Sequence, residues 1–298
     1  MPRAPSREPA GTVLATWLMT VPAVTAYTAL LVVPIGVAGY LSLTDWDGYS
    51  ADPGLVGLAN YVRVFADPEV VRAAAVTFVV AAAGTAALNL LGLALAVLVA
   101  AASRFHTFLR LVFFYPHVLS VLAVGFLWSA ILGTNGAVNS YLTSRGAEVL
   151  PFLSDPEWAV GTMIAVLVWA GFGVNVVLYL AGLQSVPAEL VEAARIDGAD
   201  RWQVFRNVTL PALRPVVTLN LVLCLITLLK TYDLVVSLTG GGPAGATQTV
   251  AYLILWDSFH ASELGFGSAQ SVLLMVVTAA LALSVMRLRA RSDMAAYR

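Results

Sequence analysis

Long apolar stretches without charged residues alternate along this chain with shorter polar segments. A helix needs about 20 mainly apolar residues to cross a bilayer, and six stretches reach that length. The predicted spans are residues 13–44, 73–101, 109–132, 158–183, 213–238 and 264–287. The pattern therefore predicts an all-α, polytopic membrane protein with six transmembrane helices and two terminal tails, residues 1–12 and 288–298.

The first stretch begins too far along the chain and runs too long for a signal peptide. No small-residue cleavage site follows a short apolar core, so we expect a permanent helix. It contains Pro22 and Pro34. Neighbouring helices in lipid can satisfy the carbonyls that proline leaves unpaired, and we expect the two prolines to bend this span.

Composition supports a membrane environment and excludes some functions. Apolar residues make up 59% of the chain and charged residues 11%, with a mean hydropathy of +0.85. The formal net charge is −1, so the chain lacks the basic surface that nucleic-acid binding requires. Because Cys224 is the single cysteine, an intramolecular disulfide and a Cys-rich metal site are excluded.

The arginines predict the orientation of the spans. With the N-terminus inside, twelve arginines face the cytoplasm and three face outwards. Positive charge collects on the cytoplasmic side of a membrane, so both termini are predicted to be cytoplasmic. The inner set is Arg3, Arg7, Arg104, Arg110, Arg195, Arg201, Arg206, Arg214, Arg287, Arg289, Arg291 and Arg298. The outer set is Arg63, Arg72 and Arg145.

One polar connection, residues 184–212 between the fourth and fifth spans, is more than a turn. Good helix formers fill residues 188–196, and residues 200–208 predict a second short helix. Gly198 between them can adopt a backbone conformation that other residues resist. Pro211 is expected to stop the second helix. The segment is predicted to be a folded, cytoplasmic helix–turn–helix.

Two interpretations of this segment follow from its residues. Four residues fall at helical neighbour spacing: Leu190, Ala193, Ala194 and Asp197. This spacing places small side chains beside a carboxylate on a surface that another protein could approach closely. Alternatively, the pair of helices lies on the membrane surface, held there by Trp202, Phe205 and the arginines. Physical chemistry alone leaves both open.

A sequence motif favours the first interpretation, a surface that contacts another protein. The residues Glu192-Ala193-Ala194, Gly198 and Val208-Thr209-Leu210-Pro211 resemble the EAA loop of permease subunits in binding-protein-dependent ABC importers, which reads EAA-x3-G-x9-I-x-LP. Only Val208, in place of isoleucine, departs from it. Further segments are similar to the carbohydrate branch of maltose and glycerol-3-phosphate type: LTDW at 43–46, GLANY at 57–61, IDGA at 196–199 and LTGGGP at 238–243.

The resemblance implies an ABC importer type I permease fold in the bacterial cytoplasmic membrane. It implies four kinds of partner besides the lipid bilayer: a second, homologous permease subunit, two cytoplasmic ABC ATPase subunits, an extracytoplasmic solute-binding protein and a sugar-class solute. It also assigns a coupling helix, seated in a groove of the ATPase, to Glu192, Ala193, Ala194 and Gly198, with Leu210 and Pro211 ending it. The exact solute stays open among oligosaccharides, monosaccharides, polyols and glycerol-3-phosphate.

Motifs for independent chemistry are missing from the sequence. A phosphate-binding loop needs Gly-Lys-Ser/Thr after a strand, and the only lysine, Lys230, lies in an apolar span. The pattern Gly240-x-Gly242-x-x-Gly245 lacks the strand–helix context of a dinucleotide site. We therefore expect no catalytic residue, no cofactor and no metal on this chain, and a separate ATPase for energy.

Ionisable residues in a span tend to face an aqueous cavity, so the fifth span provides candidates for the solute pathway. Lys230 and Asp233 are three residues apart, which predicts one helix face and mutual neutralisation. Thr231 and Tyr232 add hydroxyls that could bind a sugar. In the alternative interpretation Lys230 and Asp233 form a structural pair near the outer interface.

The fourth span adds an aromatic ring, a point of close approach and an amide at Trp169, Gly171 and Asn175. A ring face and amide hydrogen bonds suit a sugar. The same residues could simply pack between helices.

Two other functions remain open at this point. An ion-coupled secondary transporter predicts buried carboxylate relays, for which only Asp233 is a candidate. An intramembrane enzyme predicts clustered catalytic residues in the spans, and none is recognisable.

Overall fold

The computed structural model describes residues 10–101 and 103–296, with side chains for residues 18–101 and 103–289. Arg3, Arg7 and Arg298 lie outside the described residues. Within these ranges all regular secondary structure is helical apart from one isolated antiparallel bridge between Thr44 and Leu55, so the all-α prediction is confirmed.

The first half of the chain contains α1 (Ala10–Tyr27), α2 (Val33–Leu41), α3 (Ala59–Ala66), α4 (Pro68–Leu98), α5 (Arg104–Val118), α6 (Val121–Leu132) and α7 (Ala137–Ser144). The second half contains α8 (Pro156–Gln184), α9 (Ala188–Ile196), α10 (Arg201–Val204), α11 (Leu210–Ala212), α12 (Arg214–Leu229), α13 (Asp233–Leu238), α14 (Val250–Phe259) and α15 (Leu264–Ala296). Two π-helical turns, Thr28–Val32 and Phe205–Thr209, join α1 to α2 and α10 to α11.

Five helical segments in the described ranges are long and apolar enough to cross a membrane, and a sixth is a bent pair. The five are Leu18–Leu41, Pro68–Leu98, Val121–Ser144, Pro156–Gln184 and Leu264–Arg289. The pair joins Arg201–Ala212 to Arg214–Leu229 at an angle of 65°. The count of six predicted spans therefore agrees with the structure when the bent pair is one span.

The first span accommodates proline with a π turn. Directly before Pro34, the N–H of Val33 bonds to the carbonyl of Thr28, five residues back. A proline in a helix removes one donor and crowds the preceding turn, and the wider turn relieves that crowding. The helix continues through Pro22 without a break.

Three predicted boundaries are wrong. The third predicted span, 109–132, is interrupted just after Pro116, where Leu119 and Ser120 leave the helical conformation. The fifth, 213–238, ends at Leu229, and α13 begins at Asp233. The last helix continues beyond residue 287 to Ala296, so much of the predicted C-terminal tail is helical.

The centre of the bundle is α8, which packs against α4, α5 and α12, while α4 and α12 also contact each other. A Cβ atom added at Gly92 of α4 would stand 2.6 Å from the Cβ of Asn175 on α8. Only glycine therefore lets these two helices approach so closely. On the other side, α15 packs against α2, α3, α12 and α14.

Candidate functional site

The polar segment between α8 and α12 presents a short helix that packs on little of its own chain. None of the nine residues of α9 is buried. Glu192 and Ala193 are exposed, Ala194 is half-buried, and Ile196 is 87% exposed. An apolar side chain left in water beside small residues and a carboxylate suits the surface that contacts a protein partner.

The C-terminal end of α9 is a Schellman turn. The N–H of Ala199 bonds to the carbonyl of Ala194 at 3.0 Å, and the N–H of Gly198 to that of Arg195 at 3.1 Å. Gly198 has a φ of +83°, in the left-handed region that glycine adopts at little cost. The turn reverses the chain with backbone bonds alone, so α9 keeps its shape without a buried core.

The second short helix begins with a capping box. The side chain of Asp200 accepts the N–H of Gln203 at 2.8 Å, and the side chain of Gln203 accepts the N–H of Asp200 at 2.8 Å. These bonds satisfy two donors that a helix start leaves unpaired. Helical residues then run through the π turn to Ala212.

The expectation that Pro211 stops this helix is wrong. Pro211 occupies the first turn of α11, where a proline costs little because that N–H has no helical partner. The chain continues through Leu213 into α12. Leu210 and Pro211 therefore lie at the bend between the coupling segment, residues 185–212, and the fifth span.

A buried cluster of amide and hydroxyl groups joins α4, α8 and α12. The hydroxyl of Tyr179 donates to Oδ1 of Asn89 at 2.6 Å. The thiol of Cys224 donates to Oδ1 of Asn175 at 3.0 Å and lies 4.0 Å from Oδ1 of Asn220. All five residues are buried. Among these five residues, only Asn175 was predicted from the sequence as a site residue. The sequence signal for the cluster was that each of three predicted spans contains an asparagine.

The cluster changes the interpretation of the fourth span. Asn175 is only 4% exposed, and its amide donates to the carbonyl of Gly171 at 3.0 Å. Gly171 itself faces Leu88 of α4. Trp169 is half-buried and packs edge-to-face on Trp128, with ring centroids 5.3 Å apart. The structure thus places these three candidates in the packing of α8 against its neighbours.

The proposed single helix face for Lys230 and Asp233 is wrong. Lys230 follows the last residue of α12, and Asp233 is the first residue of α13. Both are exposed, and no ion pair joins them in the part of the chain that the structure describes. At the break between the two helices, the hydroxyl of Thr249 donates to the carbonyl of Thr231 at 2.7 Å.

The loop that follows α13 folds back onto α4 and α14. The hydroxyls of Thr239 and Thr247 lie 2.7 Å apart, and the hydroxyl of Tyr252 donates to the carbonyl of Gly240 at 2.9 Å. The N–H of Val250 donates to the hydroxyl of Thr77 on α4 at 2.9 Å. These contacts close the glycine-rich segment into a packed turn, without the strand and helix of a dinucleotide site.

An ionic rim lies where α3 and α14 meet the start of α15. Arg63 pairs with Glu263 at 2.7 Å and lies 3.9 Å from the ring centroid of Phe266. Gln270 donates to the carboxyl of Asp257 at 2.6 Å. Burial raises the pKa of Asp257 above its ordinary value, and the bond from Gln270 opposes that shift. With ten residues, α14 is about 15 Å long, too short to span a bilayer.

Comparison with known proteins identifies one protein family. Residues 88–293 match the family described as "Binding-protein-dependent transport system inner membrane component". That match includes α8, the coupling segment, α12 and most of α15.

Two relatives and one solved structure are similar along most of the chain. The probable starch degradation products transport system permease protein AmyD of Thermoanaerobacterium thermosulfurigenes is 31% identical over 88% of this chain and 89% of the relative. The multiple sugar-binding transport system permease protein MsmF of Streptococcus mutans is 33% identical over 82% and 84%. A chain of the bacterial alginate ABC transporter, solved with an alginate pentasaccharide-bound periplasmic protein, superposes with a TM-score of 0.81 at 21% identity, over 94% and 95%.

Proposed function

This chain belongs to the family of inner membrane components of binding-protein-dependent transport systems, and we propose that it moves a sugar or related solute across the cytoplasmic membrane as one permease subunit of an ATP-driven importer. Its proposed partners are a second, homologous permease subunit, two cytoplasmic ABC ATPases and an extracytoplasmic solute-binding protein. A partner ATPase supplies the hydrolysis, and this subunit transforms no molecule.

The relatives support the solute class. The name of AmyD refers to starch degradation products, and the name of MsmF refers to multiple sugars. The alginate transporter shares the fold and was solved with a periplasmic protein that carries an oligosaccharide. A carbohydrate delivered by a binding protein is therefore the solute that we propose for this chain.

The observation that carries the coupling proposal is the exposure of α9. This helix has no buried residue, yet it lies between two helices of the packed bundle. Glu192 can accept a charge-assisted bond from a partner, while Ala193 and Ala194 allow a close approach. We propose that an ATPase covers this face and that both termini lie on the same, cytoplasmic side, as the arginine distribution predicts.

The short connections around α9 suit the transmission of motion. Residues 185–187 separate it from α8, and Leu213 separates α11 from α12. When the ATPases close, the displacement of α9 would reach both helices, which also pack against α4. The proposed mechanism is alternating access, in which the bundle moves as a rigid body and opens the pathway on the outer side.

For the outer end of the pathway we propose the break between α12 and α13. Lys230 and Asp233 are exposed there and Tyr232 is half-buried, whereas charged side chains avoid contact with lipid. An aqueous pathway shared with the second permease subunit would solvate both charges. We expect Lys230→Ala or Asp233→Ala to lower uptake in proteoliposomes while the complex assembles normally. Thr231, Trp169, Gly171 and Asn175 would then position this region rather than contact solute.

Site-directed cross-linking tests the ATPase contact. The single native cysteine, Cys224, is buried, so a cysteine introduced at Ala194 is the accessible one. We expect Ala194→Cys to cross-link to the ATPase in the assembled importer. Ala147→Cys is the matched control, because Ala147 is exposed in the connection between α7 and α8. Equal cross-linking at both positions, or none at residue 194, would contradict the proposal.

Substitution of two glycines tests whether the turn after α9 has a coupling role. Gly198 and Gly146 have φ angles of +83° and +75°, and a Cβ at either would meet no atom within 4 Å. Alanine at either position therefore introduces the same backbone strain, about 1–2 kcal/mol, and the two positions lie on opposite sides of the bundle. We expect Gly198→Ala to lower ATP-driven uptake by about 5- to 30-fold and Gly146→Ala to leave it unchanged. Equal uptake in the two variants would count against a coupling role for the turn.

A further inference from the structure

A groove runs between the end of α4 and the start of α10. Its volume is about 560 Å³. One wall is the last two turns of a membrane span, and the other is the segment that follows the Schellman turn of α9. The lining residues are Leu90, Leu93, Ala94, Val97, Arg201, Trp202 and Phe205.

The α4 wall of this groove is apolar and open to its surroundings. Leu90 is 72% exposed, and Val97 is also exposed. From residue 90 to residue 97 the wall is about 10 Å long. Because α4 is long and apolar enough to cross a membrane and ends at Leu98, we infer that this wall faces the acyl chains of one leaflet, close to the headgroups.

The opposite end of the groove carries rings and a positive charge. Trp202 and Phe205 stack with centroids 5.8 Å apart, and Trp202 is 64% exposed. Aromatic rings of this kind sit at the level of the headgroups. The guanidinium of Arg201 has no ion pair or hydrogen bond to any residue that the structure describes, so its five donors are available to a ligand.

We propose that this groove binds one anionic phospholipid, with an acyl chain along α4 and the headgroup phosphate at Arg201. The apolar wall matches the chain, and the fork of guanidinium donors matches phosphate oxygens. A zwitterionic lipid fits the apolar wall equally well but carries a cation that repels Arg201. The site therefore discriminates lipids by headgroup charge. The proposal requires only that α4 spans the membrane and is independent of the solute and of the ATPase.

The bound lipid joins two parts of the protein that move together in the proposed mechanism. It contacts α4 on one side and the residues just after Asp200 on the other, so it steadies the base of the coupling segment. Each arginine or lysine charge close to an anionic lipid raises the affinity of the protein for that lipid about fivefold.

Fluorescence quenching by brominated-chain lipids tests the site in the full chain. Vesicles contain brominated phosphatidylglycerol diluted in phosphatidylcholine, or brominated phosphatidylcholine alone. We expect a saturable quenching component with phosphatidylglycerol that is missing in Trp202→Phe. Arg201→Gln should weaken the apparent affinity for phosphatidylglycerol about fivefold. Arg206→Gln is the matched control, because Arg206 is exposed nearby and does not line the groove.

Three results would overturn the proposal. Equal quenching by the two lipids would mean that the groove takes bulk lipid without regard to charge. If Arg201→Gln and Arg206→Gln both left the affinity for phosphatidylglycerol unchanged, Arg201 would not contact the phosphate. Loss of the phosphatidylglycerol component when the chain is assembled with its partner subunits would mean that a protein covers the groove. Persistence of the component in the assembled importer, weakened only by the Arg201 substitution, would support it.

Discussion

The coupling segment and the buried amide cluster are both polar, but they satisfy their polar groups in opposite ways. In the coupling segment the bonds run between residues at most five apart, as in the Schellman turn and the capping box. In the cluster two of the bonds join residues far apart in sequence: Tyr179 and Asn89 are separated by 90 positions, and Cys224 and Asn175 by 49.

The difference shows which part of the molecule depends on the rest. The coupling segment can keep its shape when its exposed face meets different surroundings, because its bonds are local. The two long-range bonds of the cluster exist only while α4, α8 and α12 stay packed, because each joins residues on different helices. One region is thus suited to meet a partner and the other to hold the bundle together.

The largest expected effect comes from separating the helices at the cluster. Gly92→Val places methyl groups where Asn175 and Tyr179 pack, which we expect to cost about 3 kcal/mol. The melting temperature of the purified chain in detergent should fall clearly. The matched control is Gly161→Val on α8, where a Cβ would meet no atom within 4 Å. Similar melting of both variants would show that α4 and α8 do not depend on this contact.

A smaller loss is expected when one bond of the cluster is removed. Tyr179→Phe leaves the Oδ1 of Asn89 without its donor, which we expect to cost about 1 kcal/mol. Tyr141→Phe is the control, because Tyr141 is 59% exposed. Thermal unfolding of the two variants measures the difference, and an unchanged melting temperature in Tyr179→Phe would break the contrast between the two regions.

In the coupling segment a lost bond should have only a local effect. Asp200→Ala removes the capping box, which costs about 0.5–1 kcal/mol of local helix stability. We expect faster hydrogen exchange of the amides of residues 201–204 and the same global melting temperature. Asp197→Ala, an exposed carboxylate on the same turn, is the control. A lower melting temperature for the Asp200 variant would mean that this segment is integral to the core.

The smallest effect is expected at the ionic rim. Burial raises the pKa of Asp257 above the ordinary value of 3.8. The protonated form is therefore favoured by folding, and its contribution to stability is present below pH 3.8 and lost as the pH rises through the raised pKa. We expect the melting temperature to decline over that range and Asp257→Asn to remove this part of the decline. An identical profile in wild type and variant would exclude Asp257 as its source.

Much of the helical framework could be predicted from the sequence because it follows from short-range patterns. Apolar runs of sufficient length identify the spans, and residues 188–196 coincide with α9 because helix formers and Gly198 define both ends. The break after Leu229 could not be predicted in this way. At this break Thr231 accepts a hydrogen bond from Thr249, 18 residues further along, a contact that no short-range pattern indicates.

The amino-acid sequence by itself determined that this protein is a helical membrane protein with a folded polar segment between two spans, since hydrophobicity and helix ends are local properties. Only the tertiary structure decided that Asn175 is buried with Cys224, that a helix break separates Lys230 from Asp233, and that Arg201 lies in a groove beside the end of α4. Each of these depends on which helices pack together. Contacts between distant residues fix that packing, and no pattern along the chain encodes them.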